Sequence, residues 1–210
     1  MLAAIFLVQA LARLTDLTFV RHGETVANAT GRYNSQTIDT FSAKGSAGVA
    51  ALTKKLLAEP RFELILVSPS PRALRTIAPY LRASRGRALI WPLLYECCTQ
   101  RRPKNAVATR FTFGEKIELP KDVAGQFLVE KDHDRYPVAP DYDAGLAQVA
   151  ASVAEFKQRF AGRRVLVVGH SGQGGQLLHS LMGKWTKLDN ALEVTVHLPT
   201  ATPTKESAAP

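Results

Sequence analysis

The sequence predicts an α/β fold, a three-layer sandwich in which a mostly parallel central sheet is flanked by helices. Three observations carry this. Short apolar runs suited to strands, Leu17 to Val20, Leu64 to Val67 and Val165 to Val168, alternate with longer helical stretches; strand and helix in alternation build a mostly parallel sheet covered on both faces. Two of those runs end at a histidine followed by a turn residue, His22-Gly23 and His170-Ser171, which places both histidines at the edge of the sheet where ligands bind in such folds. The chain has 210 residues, 46% of them hydrophobic, enough to bury one substantial core, and no internal repeat divides it.

Taken in order, the head from Met1 to Ala12 is apolar and closes on Ala10-Leu11-Ala12, a small-residue pattern like that before a cleavage site. No Lys or Arg precedes Arg13, so the basic start of a secretory signal is missing. A cytoplasmic location is expected, with export as the alternative if residues 1–12 act as a signal segment. The run is shorter than the roughly 20 apolar residues of a membrane-spanning helix, so no membrane span is expected. A single domain is expected over residues 13–198. Its first strand, Leu17-Thr-Phe-Val, is rich in the branched and aromatic side chains that strands favour. Helical stretches follow at Ala47 to Leu57, Arg72 to Leu81 and Tyr142 to Phe160, with the strand Leu64 to Val67 between the first two. After the strand Val165 to Val168 comes Ser171-Gly172-Gln173-Gly174-Gly175, leading into Leu177 to Leu181. This reads as a turn opening a helix. Its first amides could face an anion, or the glycines could serve the turn alone; their spacing matches no nucleotide-binding fingerprint. The tail from Pro199 to Pro210 is rich in Pro, Thr and Ala without apolar periodicity, which predicts disorder.

The formal charge of +9 favours anionic partners. Basic residues are spread, with local clusters at Arg82 to Arg87, Arg101 to Lys104 and Arg163-Arg164, and none is interleaved with the aromatics on which single-strand binders stack bases. No nucleic-acid partner is expected. Cys97 and Cys98 are adjacent, a spacing at which a disulfide is hard to close, so no structural disulfide is expected and a reducing compartment is favoured. They act either as small buried hydrophobes or as reactive thiols beside Glu96. No Cys or His pair has zinc-type spacing, so no metal and no cofactor is expected.

The stretch Arg21-His22-Gly23-Glu24-Thr25, then Asn28, Arg32-Tyr33, Asp39, Ser42 and Gly45, resembles the opening signature of the histidine phosphatase superfamily, the phosphoglycerate-mutase-like enzymes. Ser68-Pro-Ser-Pro-Arg72-Ala-Leu-Arg-Thr76, Glu96 and Gly169-His170 fit the same family in the same order. The resemblance covers about residues 15–96 and 160–198.

That resemblance implies phosphoryl transfer without a metal. Phosphate monoesters repel nucleophiles, so a site needs fixed cations and donors around the oxygens; Arg21, Arg72 and His170 are the candidates, with Asn28 and Ser171 as neutral donors. Arginine suits the task because its planar fork holds two oxygens and keeps its charge. His22 is the expected nucleophile, neutral at the attacking nitrogen, with its other ring nitrogen bonded to a backbone carbonyl. Arg21 and Arg72 should hold it neutral by disfavouring a further positive charge. Glu96 is the expected general acid, its pKa pushed up by burial and down by nearby arginines. Arg32 is a candidate for contact with the substrate beyond its phosphate. Glu24 and Asp39 are candidates for capping or turn roles, and Arg75 is expected on an exposed helix face.

Residues 97–140 depart from the family, where a Gly and a Trp-Glu-Gly-like segment follow the acidic residue in the mutases. Here stands Cys97-Cys98-Thr-Gln-Arg101-Arg102-Pro-Lys104. Without the mutase segment, hydrolysis is expected, with mutase activity or the binding of a phosphorylated ligand as alternatives. The insert also carries Arg110, Lys116 and His133, so it is expected to form a cap whose positive charge, Arg101 and Arg102 above all, selects a small phosphorylated substrate with a second anionic group.

Overall fold

The computed structural model describes residues 14–98, 107 and 109–199. The apolar head, the tail beyond Pro199, and Arg101, Arg102 and Lys104 lie outside the described residues.

A six-stranded sheet forms the centre. Its strands are β1 (Thr15–Arg21), β2 (Leu64–Val67), β3 (Ala88–Ile90), β5 (Phe127–Leu128), β7 (Arg164–Gly169) and β8 (Glu193–Leu198). They lie in the order β5-β3-β2-β7-β1-β8, and all pairs are parallel except β1 with β8. A separate two-stranded antiparallel sheet pairs β4 (Thr112–Lys116) with β6 (Arg135–Val138). The helices are α1 (Val26–Thr30), α2 (Ala43–Ala58), α3 (Pro71–Ser84), α4 (Tyr142–Glu155) and α5 (Ser171–Met182).

Alternation along β1 divides the helices between two faces. Val20 points into a core shared with Leu52 and Leu56 of α2 and Leu74 and Ile77 of α3. Leu17 and Phe19 point the other way, towards Leu177 and Leu178 of α5 and Phe156 and Phe160 just beyond α4. This is the three-layer α/β sandwich expected from the sequence. Residues of β7 do the same: Leu166 and Val168 join the first core, Val165 and Val167 the second, and all four are fully buried. Full burial on both faces explains why β7 reads as a continuous apolar run. Burying a side chain such as Phe19 contributes about 1.5–3 kcal/mol. α4 continues into a π-helical turn over Phe156–Phe160, which accounts for the helical pattern reaching Phe160.

Register positions the site. Arg21 pairs with Gly169, the His22 N–H donates to the Gly169 carbonyl at 2.9 Å, and the Ser68 N–H donates to Val168 at 2.9 Å. The carboxyl ends of β1, β2 and β7 therefore stop side by side, and the residues after them meet at one edge. Among the described residues no helix is long and apolar enough to cross a membrane.

Candidate active site

A cleft of about 430 Å³ opens at that edge, lined by Arg21, His22, Thr25, Asn28, Tyr33, Ile38, Arg72, Glu96 and Ser171. Local rules of chain geometry put these groups there. Thr25 caps α1 by accepting from the Asn28 N–H at 3.2 Å, while Asn28 Oδ1 accepts from the Thr25 N–H at 3.2 Å. This reciprocal cap turns the chain just after His22. Arg72 stands in the first turn of α3, which Pro71 opens.

His22 is 4% exposed. Its Nδ1 lies 2.8 Å from the Gly23 carbonyl oxygen. A carbonyl only accepts, so Nδ1 carries the proton and Nε2 keeps a free lone pair. Burial above all, then the charges of Arg72 and Arg21, pull the His22 pKa down to about 3 against the backbone bond that raises it, so the ring is neutral at ordinary pH.

His170 is fully buried, with its ring centroid 5.3 Å from that of His22. Arg72 Nη2 approaches His170 Nδ1 at 3.3 Å. A guanidinium only donates, so Nδ1 accepts and Nε2–H donates to Ser68 Oγ at 2.8 Å or Ser70 Oγ at 3.0 Å. Burial, reinforced by Arg72 and His22, holds the His170 pKa well below the ordinary value. Arg72 is steadied from its other side by Asp39, whose Oδ1 accepts from both Nη1 and the Arg72 N–H at 3.2 Å.

Arg21 donates from Nη1 to the Leu188 carbonyl at 3.0 Å, and its Nε is buried with no hydrogen-bond partner among the described residues. Glu96 Oε1 accepts from the N–H of Gln173 at 2.9 Å and of Cys97 at 3.2 Å. Burial nevertheless pushes its pKa up, outweighing these amides, that of Gly172 and the charge of Arg72. Gly172 leaves it room: a Cβ there would lie 2.7 Å from Glu96 Oε1 and 2.7 Å from the Cys97 carbonyl oxygen. At Gly174 a Cβ would lie 2.1 Å from the Phe19 ring. The glycines of this run thus let α5 approach both the carboxyl group and the core.

The structure brings Arg21, His22, Asn28, Arg72, Glu96 and Ser171 around one cleft with His170 behind Arg72. Arg32 is exposed and does not line it; its neighbour Tyr33 does. Glu24 accepts from Ser42 Oγ at 2.7 Å and pairs with Lys44, away from the cleft. Arg75, expected to face solvent, forks onto Asp122 at 3.1 Å and 3.4 Å, tying α3 to the stretch 97–140. In the same stretch Lys116 pairs with Asp134 and His133 with Glu130. Sequence reasoning assigned no role to Ser68 and Ser70, although both stood in the quoted stretch. It missed Asn190 altogether, whose Nδ2 donates to the His22 carbonyl at 2.9 Å; an isolated Asn in a loop carries no signal. Among the described residues no group of three His, Cys, Asp or Glu side chains is placed to hold a metal ion.

Fold and cleft together define an α/β protein with two buried histidines, two arginines and a partly buried carboxyl group at the carboxyl edge of a parallel sheet. The chain belongs to the histidine phosphatase superfamily (branch 1), whose family model matches residues 17–202. No curated protein matches the sequence. Among solved structures, it is similar to a phosphoglycerate mutase from Bacillus anthracis, at 17% identity and a TM-score of 0.58 over 90% of each chain. The α-ribazole phosphatase of Shigella flexneri has 19% identity and a TM-score of 0.57, covering 88% of this chain and 94% of that one. A phosphoserine phosphatase from Entamoeba histolytica, solved with phosphoserine, has 14% identity and a TM-score of 0.53, covering 86% and 89%. At these identities the likeness is one of fold.

Proposed function

We propose that this chain hydrolyses phosphate monoesters through a phosphohistidine formed on His22. The observation that carries the reading is the His22 ring: Nδ1–H is committed to the Gly23 carbonyl, so a neutral Nε2 lone pair is available in a cleft lined by two arginines. In the first displacement the Nε2–P bond forms as the P–O bond to the alcohol breaks, and Glu96 gives its proton to the departing oxygen. In the second, a water oxygen bonds to phosphorus, the N–P bond breaks, and Glu96 takes back a proton.

Each supporting role has a physical basis. Arg21 Nε is a buried donor with no partner among the described residues, and a phosphoryl oxygen would satisfy it. Arg72 is braced between Asp39 and His170, so its fork needs little reorganisation to meet charge as it develops. The raised pKa of Glu96 lets it hold a proton nearer neutral pH than an ordinary carboxyl group.

The test is phosphate release from a generic aryl phosphate with a chelator present, comparing the unmodified protein with His22→Ala. Turnover that persists with chelator and vanishes in the variant is the expected result. Turnover retained by the variant would refute the role of His22, and no turnover by either protein would refute hydrolysis of simple monoesters.

A further inference from the structure

The chemistry above leaves unused the two thiols that follow the general acid directly. Cys97 is 4% exposed, its N–H donates to Glu96 Oε1 at 3.2 Å, and its Sγ lies 3.6 Å from the Gly145 carbonyl oxygen. A Cβ at Gly172 would lie 2.7 Å from both the Cys97 carbonyl oxygen and Glu96 Oε1. Cys98 is half-buried and holds a φ of 67°, a left-handed backbone that L side chains rarely adopt. Its backbone is wedged on α4: a Cβ at Gly145 would lie 2.8 Å from both the nitrogen and the sulfur of Cys98.

We propose that Cys97 and Cys98 form a reversible oxidation site, in which hydrogen peroxide closes a disulfide between the neighbours and so withdraws Glu96 from catalysis. This rests on the reading of Glu96 as general acid. Cys98 is the more accessible of the two sulfurs, half-buried where Cys97 is 4% exposed, and the neighbouring thiols shift the Cys98 pKa down and that of Cys97 up. The half-exposed Cys98 is therefore the attacking sulfur. Its thiolate bonds to one peroxide oxygen, the O–O bond breaks, and the departing hydroxide takes a proton from solvent to leave as water. The Cys97 sulfur then bonds to the sulfur of the resulting sulfenic acid; the S–O bond breaks and hydroxide leaves with the Cys97 proton as a second water. Two thiols lose one electron each, and peroxide is reduced to water.

Geometry links that bond to the site. Adjacent Cα atoms across a trans peptide are about 3.8 Å apart, closer than the roughly 4.4–6.8 Å of ordinary disulfides. Closure must turn the Cys97–Cys98 peptide, whose carbonyl is wedged against Gly172 beside the Glu96 carboxyl group. The turn swings the Cys97 carbonyl oxygen within the space it shares with the Glu96 carboxyl group at Gly172, so closure disturbs the seat of that carboxyl group. Such a strained bond is readily reduced, which makes the change reversible.

The experiment treats the whole protein with hydrogen peroxide and reads intact mass and turnover of two substrates, an alkyl phosphate and a nitrophenyl phosphate. The expected result is loss of two hydrogen atoms with no added oxygen. Turnover of the alkyl phosphate, whose leaving group needs a proton, should fall at least about tenfold, that of the nitrophenyl ester less, and dithiothreitol should restore both. Cys98→Gly, which suits the left-handed backbone, should show neither change. Persistent added oxygen, no mass change, or a disulfide with unchanged alkyl phosphate turnover would overturn the proposal, as would equal losses on both substrates. Full alkyl phosphate turnover by untreated Glu96→Gln would instead overturn the reading of Glu96, while the mass change still decides whether the disulfide forms.

Discussion

Replacing His22 by Asn should flatten the acid side of the stability profile. The Asn amide can keep a donor near the Gly23 carbonyl while removing the titrating ring. In the folded protein His22 titrates at about 3, against about 6.5 in the unfolded chain. Between those values the unfolded chain binds the extra proton, so stability rises with pH. The contribution is fully present above about pH 6.5 and is lost as pH falls towards 3. At about 1.4 kcal/mol per pH unit the full gap is roughly 5 kcal/mol, of which about 2 kcal/mol is lost between pH 7 and pH 5. His170, whose pKa is shifted the same way, is present in both proteins, and the burial and Arg72 charge that dominate its shift are untouched by the substitution. Urea unfolding at about pH 7, 6 and 5 measures the difference; the unmodified protein should lose about 2 kcal/mol more than the variant, or about 4–8 °C in Tm. Parallel profiles would refute the claim that His22 is buried as a neutral ring.

Further expectations follow from the neighbours of that ring. Glu96→Gln should lower kcat on an alkyl phosphate by about 10²- to 10⁴-fold, with a smaller effect on a nitrophenyl ester, measured by phosphate release. The alkaline limb of the unmodified protein should lie above the ordinary carboxylate range, because burial raises the Glu96 pKa and turnover needs the protonated form, and this limb should disappear in the variant. Gly172→Ala adds a methyl group 2.7 Å from Glu96 Oε1, so differential scanning calorimetry should show a loss of about 1–3 kcal/mol, with alkyl phosphate kcat falling more than aryl phosphate kcat. Asp39→Asn removes the charge that braces Arg72 and leaves only a neutral acceptor, and steady-state kinetics should show a lower kcat/KM with the Tm changed by only a few degrees.

Legibility of the fold tracked the length and burial of each element. β1, β2 and β7 are buried on both faces and read directly as apolar runs. β3 and β5 have three and two residues, too few for any periodicity to register. β8 is the antiparallel edge strand, half-exposed along its length, so its pattern is too polar to stand out. For the site, residues next to strand ends were visible because strand and turn chemistry are local. Partners were not: Asp39 reaches Arg72 across 33 positions, and Ser68 reaches His170 across 102. The role of Gly172 is likewise invisible in sequence, since it depends on a carboxyl group brought from Glu96.

The central claim is a covalent bond between phosphorus and His22. Mixing the protein with an aryl phosphate, quenching within the first turnovers under alkaline conditions and measuring peptide masses tests it most directly. The account predicts one added phosphoryl group on the peptide containing His22, absent from His22→Asn. Turnover without any such adduct, or an adduct on another residue, would contradict it.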